Sequence, residues 1–220
     1  MTQRTSFGHY YLLLLVSLLL YVSPVQASSS ITVDIQAFQG SMDLSNKWSR
    51  FIDDSGNISI EQIQDKKFTL SSREMLGEGF VGGALWVKFS VKNAAYKPWL
   101  MEIGWPLIDR IDMYIVDANG YIEHDYMGQD WVYSQRKKVH QNFVWPLKLP
   151  SNDEHTIYLR VENEKSMMFF IRLWDEGAFE VSSSDEKFLY GLYFGGMLIL
   201  AFYNIFIFIS TRDKNYILYS

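Results

Sequence analysis

The chain of 220 residues contains no cysteine, and it has neither a strong charge imbalance nor a recognisable catalytic motif. Without cysteine, disulfide bonds and thiolate metal sites are excluded. The formal net charge of -5 is mild and no basic patch is present, which argues against a nucleic-acid partner. None of the four histidines belongs to an HExxH pair, and the sequence holds no GxSxG or P-loop motif. These absences predict a chain without enzymatic activity, cofactor or metal site.

Two apolar segments are the most prominent features of the sequence. At the N-terminus, Arg4 precedes a leucine-rich run from Tyr10 to Val22, and small residues follow up to Ala27. This pattern predicts a signal peptide at 1–27 that is cleaved after Ala27, with an uncleaved signal anchor as the alternative. The second segment, 188–210, has 23 residues without a charge. As a helix rising 1.5 Å per residue, it is long enough to cross the ~30 Å hydrocarbon core of a bilayer.

The charges that flank the second segment predict its orientation. Asp185 and Glu186 precede it, whereas Arg212 and Lys214 follow it. Positive residues remain on the cytoplasmic side, so the preceding part of the chain is expected outside the membrane. Since a new apolar run begins at the end of the chain, we expect the front end of a larger membrane receptor. The expected parts are an N-terminal segment at 28–45, an exported domain at 46–181, a linker at 182–187, a transmembrane helix at 188–210, and a cytoplasmic turn with the start of a second helix at 211–220.

The exported segment carries strand signals. Apolar and polar residues alternate in six runs, at 85–91, 99–105, 111–115, 143–149, 157–161 and 167–173. Turn-forming residues separate these runs, and helical periodicity is almost absent except for a possible capping box at Ser59 and Gln62. The pattern predicts an all-β, antiparallel sandwich or jelly roll. The alternation places Trp99, Trp105 and Trp145 on the core face, and Trp86 and Trp174 on the opposite face.

Several short motifs occur in an order that resembles one known family. The motifs are Gly83-Ala84-Leu85-Trp86-Val87, Trp105-Pro106-Leu107-Ile108-Asp109, Ser134-Gln135-Arg136 with His140, Asn142-Phe143-Val144-Trp145-Pro146-Leu147, Tyr158-Leu159-Arg160-Val161, Gly191-Leu192-Tyr193 and Arg212-Asp213-Lys214. The order resembles the bacterial seven-transmembrane receptors with diverse intracellular signalling modules, from about Asn46 onward. The resemblance implies a type 2 extracellular domain, a jelly roll similar to carbohydrate-binding modules, in the periplasm or outside the cell. It also implies a bacterial inner-membrane location and a cytoplasmic output module, such as a diguanylate cyclase or a histidine kinase, that this chain lacks. The chain departs from the family pattern at Gln141, where a second basic residue is usual, and at Trp105.

Aromatic and basic residues are the candidates for ligand contact. An exposed tryptophan ring can stack on a sugar face, which makes Trp86 and Trp174 candidates, although such rings also fill cores. Arg136 and His140 lie in a basic loop, where arginine can clamp a carboxylate with two hydrogen bonds. The alternatives are a solvated hairpin or an Arg136 that pairs within the fold. Arg160 is expected either to join the site or to pair with Glu162.

Three residues of the apolar segment are candidates for helix packing. Gly191 and Gly195 form a small-xxx-small pair that would let another helix approach closely, and Asn204 is a polar residue that needs a partner in lipid. That partner would be a sibling helix or a second copy of the chain. Ordinary packing is the alternative for all three residues.

Taken together, these features lead us to expect a sensor domain that binds a small ligand, possibly a carbohydrate or a carboxylate, and relays the event through membrane helices. The alternative is a protein-interaction module that docks a periplasmic partner or a second receptor and takes no small ligand. A concave pocket holding Arg136 or an exposed tryptophan would favour the ligand, and a flat apolar patch would favour the protein.

Overall fold

The computed structural model describes residues 31–35, 38–71, 76–92, 97–149 and 153–212. The predicted signal peptide at 1–27 and the predicted start of a second helix after 212 lie outside these residues.

Twelve strands and two α-helices are present in the described residues. The strands are β1 Thr32–Asp34, β2 Ser41–Asp43, β3 Ser49–Asp53, β4 Thr69–Leu70, β5 Leu76–Gly79, β6 Ala84–Lys92, β7 Trp99–Gly104, β8 Arg110–Val116, β9 Ile122–Met127, β10 Phe143–Leu147, β11 Glu154–Glu162 and β12 Met167–Asp175. The helices are α1 Ile60–Ile63 and α2 Glu176–Thr211, and a 3-10 turn lies at Tyr133–Gln135. All six predicted strands are therefore confirmed. The predicted capping box is also present, because Ser59 and Gln62 exchange side-chain and backbone hydrogen bonds at the start of α1.

The strands form two sheets. The large sheet has the order β4-β3-β6-β11-β8-β9, with β1 added beside β6, and the small sheet has the order β10-β7-β12-β2, with β5 added beside β12. All pairings are antiparallel except that of β1 with β6. The predicted all-β antiparallel fold followed by one apolar helix is confirmed.

The main core lies between the two sheets and consists of the alternating residues that the sequence predicts. Leu85, Val87 and Phe89 of β6 face Met101 and Ile103 of β7 across this layer, and all five are fully buried. Trp99 and Trp145 belong to the same core, as predicted. Such alternation leaves the even-numbered residues of β6 and β7 on the two outer faces.

The predicted position of Trp105 is wrong. It was expected on the core face, but its side chain is 39% exposed and its backbone has φ +104. The alternation ends because β7 stops at Gly104, where a Cβ atom would lie 2.0 Å from the Phe170 ring. Trp105 therefore follows the strand rather than continuing it.

The N-terminal segment predicted at 28–45 is part of the β-domain in its described residues. Strand β1 pairs with β6 in the large sheet, and β2 pairs with β12 in the small sheet. Val33, Ile35 and Leu44 are buried in the main core. The predicted segments 28–45 and 46–181 thus contribute strands to the same two sheets.

The predicted linker at 182–187 is helical. Helix α2 is continuous from Glu176, directly after β12, through the apolar segment to Thr211. Asp175 caps its start, since Oδ1 accepts a hydrogen bond from the Gly177 backbone N–H at 3.0 Å. The three serines at 182–184 lie within this helix, and serine is tolerated in a helix that tertiary contacts hold in place.

Gly83 provides a test of the packing at the start of β6. A Cβ atom at Gly83 would lie 2.1 Å from the carbonyl oxygen of Asp53 in β3, whereas a Cβ atom at Gly82 meets nothing within 4 Å. We expect Gly83→Ala to destabilise the domain by about 1–3 kcal/mol, because the backbone of β3 must move. In a chemical denaturation experiment on the full chain, Gly82→Ala should unfold like the native protein. Equal midpoints for the two variants would contradict this account.

Candidate functional site: the junction of the β-domain and the membrane helix

The first turns of α2 pack on the outer face of the small sheet. Phe179 is 4% exposed and contacts Leu100 of β7, Val144 of β10 and Trp174 of β12. Ser183, one helical turn later, is also buried. Residues 188–211 of α2 include no buried side chain, and none of the most apolar part of α2 is buried within the protein. Helix α2 thus has a docked first part and a bare apolar second part of membrane-spanning length.

A buried carboxylate lies beneath the docked part of α2. Glu102 of β7 is 4% exposed on the outer face of the small sheet. Its two oxygens accept hydrogen bonds from Trp174 Nε1 at 2.7 Å and from Asn142 Nδ2 at 2.6 Å, and Arg172 Nη1 lies 3.9 Å away. Because each oxygen has a donor, the cost of burying this charge is partly offset. Trp174, a predicted ligand contact, is occupied here by Glu102 and by the Phe179 ring, 5.8 Å away.

The loop between β9 and β10 holds the docked helix from the side. We call residues 128–142 the clasp loop. It leaves the edge strand of the large sheet and enters the edge strand of the small sheet, so it crosses from one sheet to the other. Its second half contacts α2 at positions spread over ten residues of helix, or about 15 Å.

Lys138 of the clasp loop forms ion pairs with two carboxylates of α2. Its Nζ lies 2.8 Å from a carboxylate oxygen of Glu176 and 2.7 Å from one of Glu180. These hydrogen bonds raise the pKa of Lys138, and the same contact lowers the pKa of Glu180. Further along, Gln141 Nε2 donates to Glu186 Oε2 at 3.2 Å. Gln141 is the position where the family pattern usually has a basic residue, and here an amide makes the contact with the helix.

His140 is buried between the clasp loop and α2. It is 7% exposed, and its ring meets the Phe179 ring edge-on with centroids 5.1 Å apart. Its Nδ1 accepts a hydrogen bond from the Asn142 backbone N–H at 3.2 Å. Burial lowers the pKa of His140, although the charges of Glu102 and Glu186 act in the opposite direction. The neutral ring therefore fits the docked state.

Arg136 stabilises the clasp loop itself. Its Nη1 donates to the carbonyl oxygens of His140 and Gln141, at 2.8 and 2.9 Å. The guanidinium group also lies over the rings of Tyr133 and Phe143, 4.8 and 4.6 Å from their centroids. These contacts correspond to the alternative in which Arg136 pairs within the fold.

The outer face of the large sheet carries a second polar network. Asp112 of β8 is buried and accepts two hydrogen bonds from Arg110, from Nε at 2.8 Å and from Nη2 at 3.0 Å. His124 Nε2 lies 3.0 Å from Asp112 Oδ1. Burial alone would raise the pKa of Asp112, but these bonds lower it overall. Arg160 lies 3.6 Å from Asp112 and donates to Glu162 at 2.6 Å, so its predicted pairing with Glu162 is present.

Trp86 was expected to be exposed on this face, and that expectation is wrong. Its side chain has no exposed surface. It lies on the predicted side of β6, but α1 covers it with Ile60 and Ile63, and Tyr114 stacks on it at 5.8 Å. A helix of four residues leaves too little periodic signal for the sequence to predict this cover.

A row of aromatic rings extends from Trp86 to the clasp loop. Tyr114 stacks on His124 at 4.5 Å, His124 lies 6.1 Å from Tyr126, and Tyr126 lies 4.9 Å from Trp131 of the clasp loop. A small cavity of about 170 Å³ at this end is lined by Tyr126, Trp131, Arg136 and neighbouring residues. The clasp loop therefore contacts the outer layers of both sheets.

The three predicted helix-packing residues lie in the bare part of α2. A Cβ atom at Gly191 or Gly195 would meet nothing within 4 Å, so the space beside both glycines is open. Asn204 lies further along the same helix. Packing by these residues against another helix stays a prediction.

Sequence reasoning missed most of the junction. It singled out Arg136 and His140 in the clasp loop and Trp174 in β12, and the structure brings these three together. It missed Phe179 and Glu102, although the pattern of Glu176, Phe179, Glu180 and Ser183 at helical spacing was a signal for one docked face.

A β-domain joined without interruption to a helix of membrane-spanning length is the arrangement of a membrane receptor with an outward domain. The family model described as 7TMR-DISM extracellular 2 matches residues 45–175, and the model described as 7TM diverse intracellular signalling matches residues 186–220. Because the first match covers more than half of the chain, the chain belongs to this receptor family, as the sequence predicted. It contains the extracellular sensory domain and a transmembrane-capable helix. No curated protein matches the chain.

Docking of α2 can be measured by cysteine labelling, because the chain has no cysteine of its own. Ser183 is buried, and its neighbour Ser184 is exposed. The rate of maleimide labelling in a Ser183→Cys variant, divided by that in a Ser184→Cys variant, therefore reports how often the helix leaves the sheet. We call this quotient the labelling ratio.

We expect Lys138→Gln to raise the labelling ratio about two- to fivefold, because partly exposed ion pairs contribute about 0.2–1 kcal/mol each. The matched control is Lys137→Gln. Lys137 lies 3.4 Å from Asp125 of β9 and does not pair with α2. An unchanged ratio in the Lys138 variant, or the same rise in both variants, would contradict the role of Lys138.

Acidification should undock α2 through His140. Because burial lowers the pKa of His140 in the docked state, the undocked state binds the proton more readily. Docking is thus fully present above the ordinary histidine pKa of about 6.5 and weakens as the pH falls below it. We expect the labelling ratio to rise between pH ~6.5 and ~5, and we expect His140→Gln to remove this rise. The dependence of cysteine labelling itself on pH cancels in the ratio. His124→Gln, a histidine change on the other sheet, should keep the rise, and its disappearance there would point to a different proton acceptor.

Proposed function

We propose that the β-domain binds a small ligand outside the membrane and transmits occupancy by changing how the start of α2 docks on the small sheet. The observation that supports this is the continuity of α2 from the docked Glu176 to the end of the apolar segment at Thr211. A continuous helix carries a rotation or displacement of its first turns into the membrane. A flexible linker at 182–187 would have absorbed it.

The mechanism requires two arrangements of the junction. In the docked arrangement Phe179 is buried and Lys138 bridges two helix carboxylates; in the other, these contacts are broken. A ligand shifts the balance only by its difference in affinity for the two arrangements. The clasp loop is the element through which a ligand could act, because it contacts α2 at one end and the aromatic row of the large sheet at the other.

The proposed location and output of the signal are those that the family resemblance implies. We propose that the chain resides in a bacterial inner membrane with the β-domain in the periplasm. The apolar part of α2 would pack, through Gly191, Gly195 and Asn204, against sibling helices or a second copy. The signal would pass to a cytoplasmic output module such as a diguanylate cyclase or a histidine kinase.

The sequence suggested a carbohydrate or a carboxylate as the ligand, contacted by Arg136, His140, Trp86, Arg160 and Trp174. That prediction stands untested. The structure gives each of these five side chains contacts within the protein, so a ligand would have to compete with those contacts or bind elsewhere in the domain.

One surface favours the alternative of a docked protein partner. Several large apolar side chains are at least 46% exposed along β9 and the clasp loop, namely Tyr126, Val132, Tyr133 and Val139. Exposed apolar side chains mark protein contacts where they form one contiguous patch. A partner bound there would touch the clasp loop directly and would act on the same junction.

The proposal predicts that any ligand which stabilises the protein also changes the labelling ratio. The full chain in lipid nanodiscs would be screened by thermal shift against sugars, uronic acids, amino acids and organic acids. At a hundredfold excess over its dissociation constant, a ligand stabilises by ~2.7 kcal/mol, which is visible as a shift of several degrees. Each hit would then be tested in the Ser183→Cys and Ser184→Cys variants. Ligands that raise the melting temperature but leave the labelling ratio unchanged would refute transmission through the junction.

A further inference from the structure

A large open cavity lies at one end of the sandwich, and Arg160, a predicted ligand contact, donates hydrogen bonds to Gly56 and Glu162 in its lining. It has a volume of about 940 Å³ and lies where β6 and β8 begin and β11 ends. Five loops surround it, at 55–57, 80–83, 109–110, 129–130 and 162–165. Binding sites for small molecules are usually about 300–1,000 Å³, so this cavity has a suitable size, whereas the cavity beside Arg136 is smaller.

One wall of the cavity is rigid. The Asp53 carboxylate accepts hydrogen bonds from the backbone N–H groups of Ser55, Gly56 and Ile58, which fixes the 53–58 turn. Gly83 lies so close to the Asp53 carbonyl oxygen that no side chain would fit there. These contacts hold two of the five loops together without a ligand, so this wall is formed in advance.

The charges that line the cavity are mainly negative. Four carboxylates line it, from Asp109, Asp130, Glu162 and Glu164, against the two cations Arg110 and Lys165. Arg110 is held by two hydrogen bonds to the buried Asp112, which lies outside the cavity lining. Glu162 is held by Arg160. The carboxylates of Asp130 and Glu164 are exposed.

A buried acceptor beside the cavity lacks a partner among the described residues. The Asn163 side chain is 6% exposed, and its Nδ2 donates to the carbonyl oxygens of Lys165 and Ser166, both at 3.3 Å. Its Oδ1 has no hydrogen bond. An unpaired buried acceptor costs about 1–3 kcal/mol, and a donor that enters beside the 163–166 turn would recover part of this cost. The Oδ1 atom is closed to solvent in this conformation, so a ligand that brings N–H or O–H groups would satisfy it only if the 163–166 turn shifts to expose it.

Phe80 adds an apolar platform at the same cavity. Its side chain is 81% exposed, although a phenylalanine ring is normally buried. An exposed ring at a cavity rim can stack on the C–H face of a sugar or attract an ammonium group. The cavity thus combines negative charge, an unsatisfied acceptor and an aromatic surface.

We propose that this cavity binds a small hydroxylated amine, for which an amino sugar is the best-matched class. The ammonium group would lie near Asp130 and Glu164, the hydroxyl groups would donate to polar atoms such as Asn163 Oδ1, and the ring would contact Phe80. This inference rests on the proposed sensory function, and it replaces the carboxylate suggested by Arg136 with a ligand of opposite charge.

The test compares three sugars that share one ring and differ at a single position. Glucosamine carries an ammonium group, N-acetylglucosamine carries a neutral amide, and glucose carries a hydroxyl. Equilibrium binding to the full chain in nanodiscs is measured by calorimetry at pH ~7 and low salt. We expect glucosamine to bind at least about tenfold more tightly than the two neutral sugars, and we expect added salt to weaken its binding. Equal binding of the three sugars, or binding of none, overturns the proposal.

Substitutions locate the site. Changing Asp130→Asn together with Glu164→Gln should weaken glucosamine binding about five- to twentyfold, because two exposed charge interactions are lost. Changing Asp65→Asn together with Glu123→Gln alters the net charge equally at exposed positions outside the cavity lining, and it should leave binding unchanged. Equal losses in the two double variants would show a nonspecific charge effect and overturn the site. Phe80→Ala should weaken all three sugars alike, because it removes the platform and no charge.

The labelling ratio separates this inference from the proposed function. Glucosamine that binds at the cavity without changing the ratio supports the site and refutes transmission through the junction. A carboxylate ligand that changes the ratio, in a protein that does not bind glucosamine, supports transmission and overturns the amine site.

Discussion

The packing of Phe179 on the outer face of the small sheet is the contact on which the rest of the junction depends. It fixes the path of α2 across β7 and β12, and thereby brings Glu176 and Glu180 within reach of Lys138. Burial of one such ring contributes about 1.5–3 kcal/mol, and the partly exposed ion pairs add fractions of that. A small ligand can switch this junction only to the extent that it binds the docked and undocked arrangements with different affinities.

The clasp loop connects this junction to both sheets of the domain. It connects the edge strands of the two sheets, so it must follow any change in their relative position. Arg136 keeps it rigid by binding two of its own carbonyl oxygens and stacking on two rings. A rigid loop transmits a displacement, whereas a flexible one would dissipate it. The structural role of Arg136 is thus compatible with signalling, although it differs from the ligand contact that its charge suggested.

Some features of the fold could be predicted from the sequence, and others could not. The core faces of the strands were predictable, because alternation at Leu85, Val87 and Phe89 depends only on the period of a strand. Trp86 was placed on the correct face, but the four residues of α1 that cover it carry no periodic signal. The helical conformation of the predicted linker was not evident from the serines at 182–184, because the helix there is held by Phe179 and by the cap at Asp175. The cavity near Asn163 was not predictable, since its five loops are up to about 110 residues apart in the chain.

The arrangement of the two sheets also limits where a ligand could enter. On the small sheet, α2 and the clasp loop cover the outer face around Leu100, Val144 and Trp174. On the large sheet, α1 and the network around Asp112 cover the central strands. With both faces occupied there, the loop-lined end near Asn163 provides a larger cavity, about 940 Å³, than the one of about 170 Å³ beside Arg136. At such an end, a ligand contacts loops from several strands at once, including the start of the clasp loop at Gln129 and Asp130. The cavity and the junction thus share one loop, which meets the cavity at its start and α2 at Lys138 and Gln141.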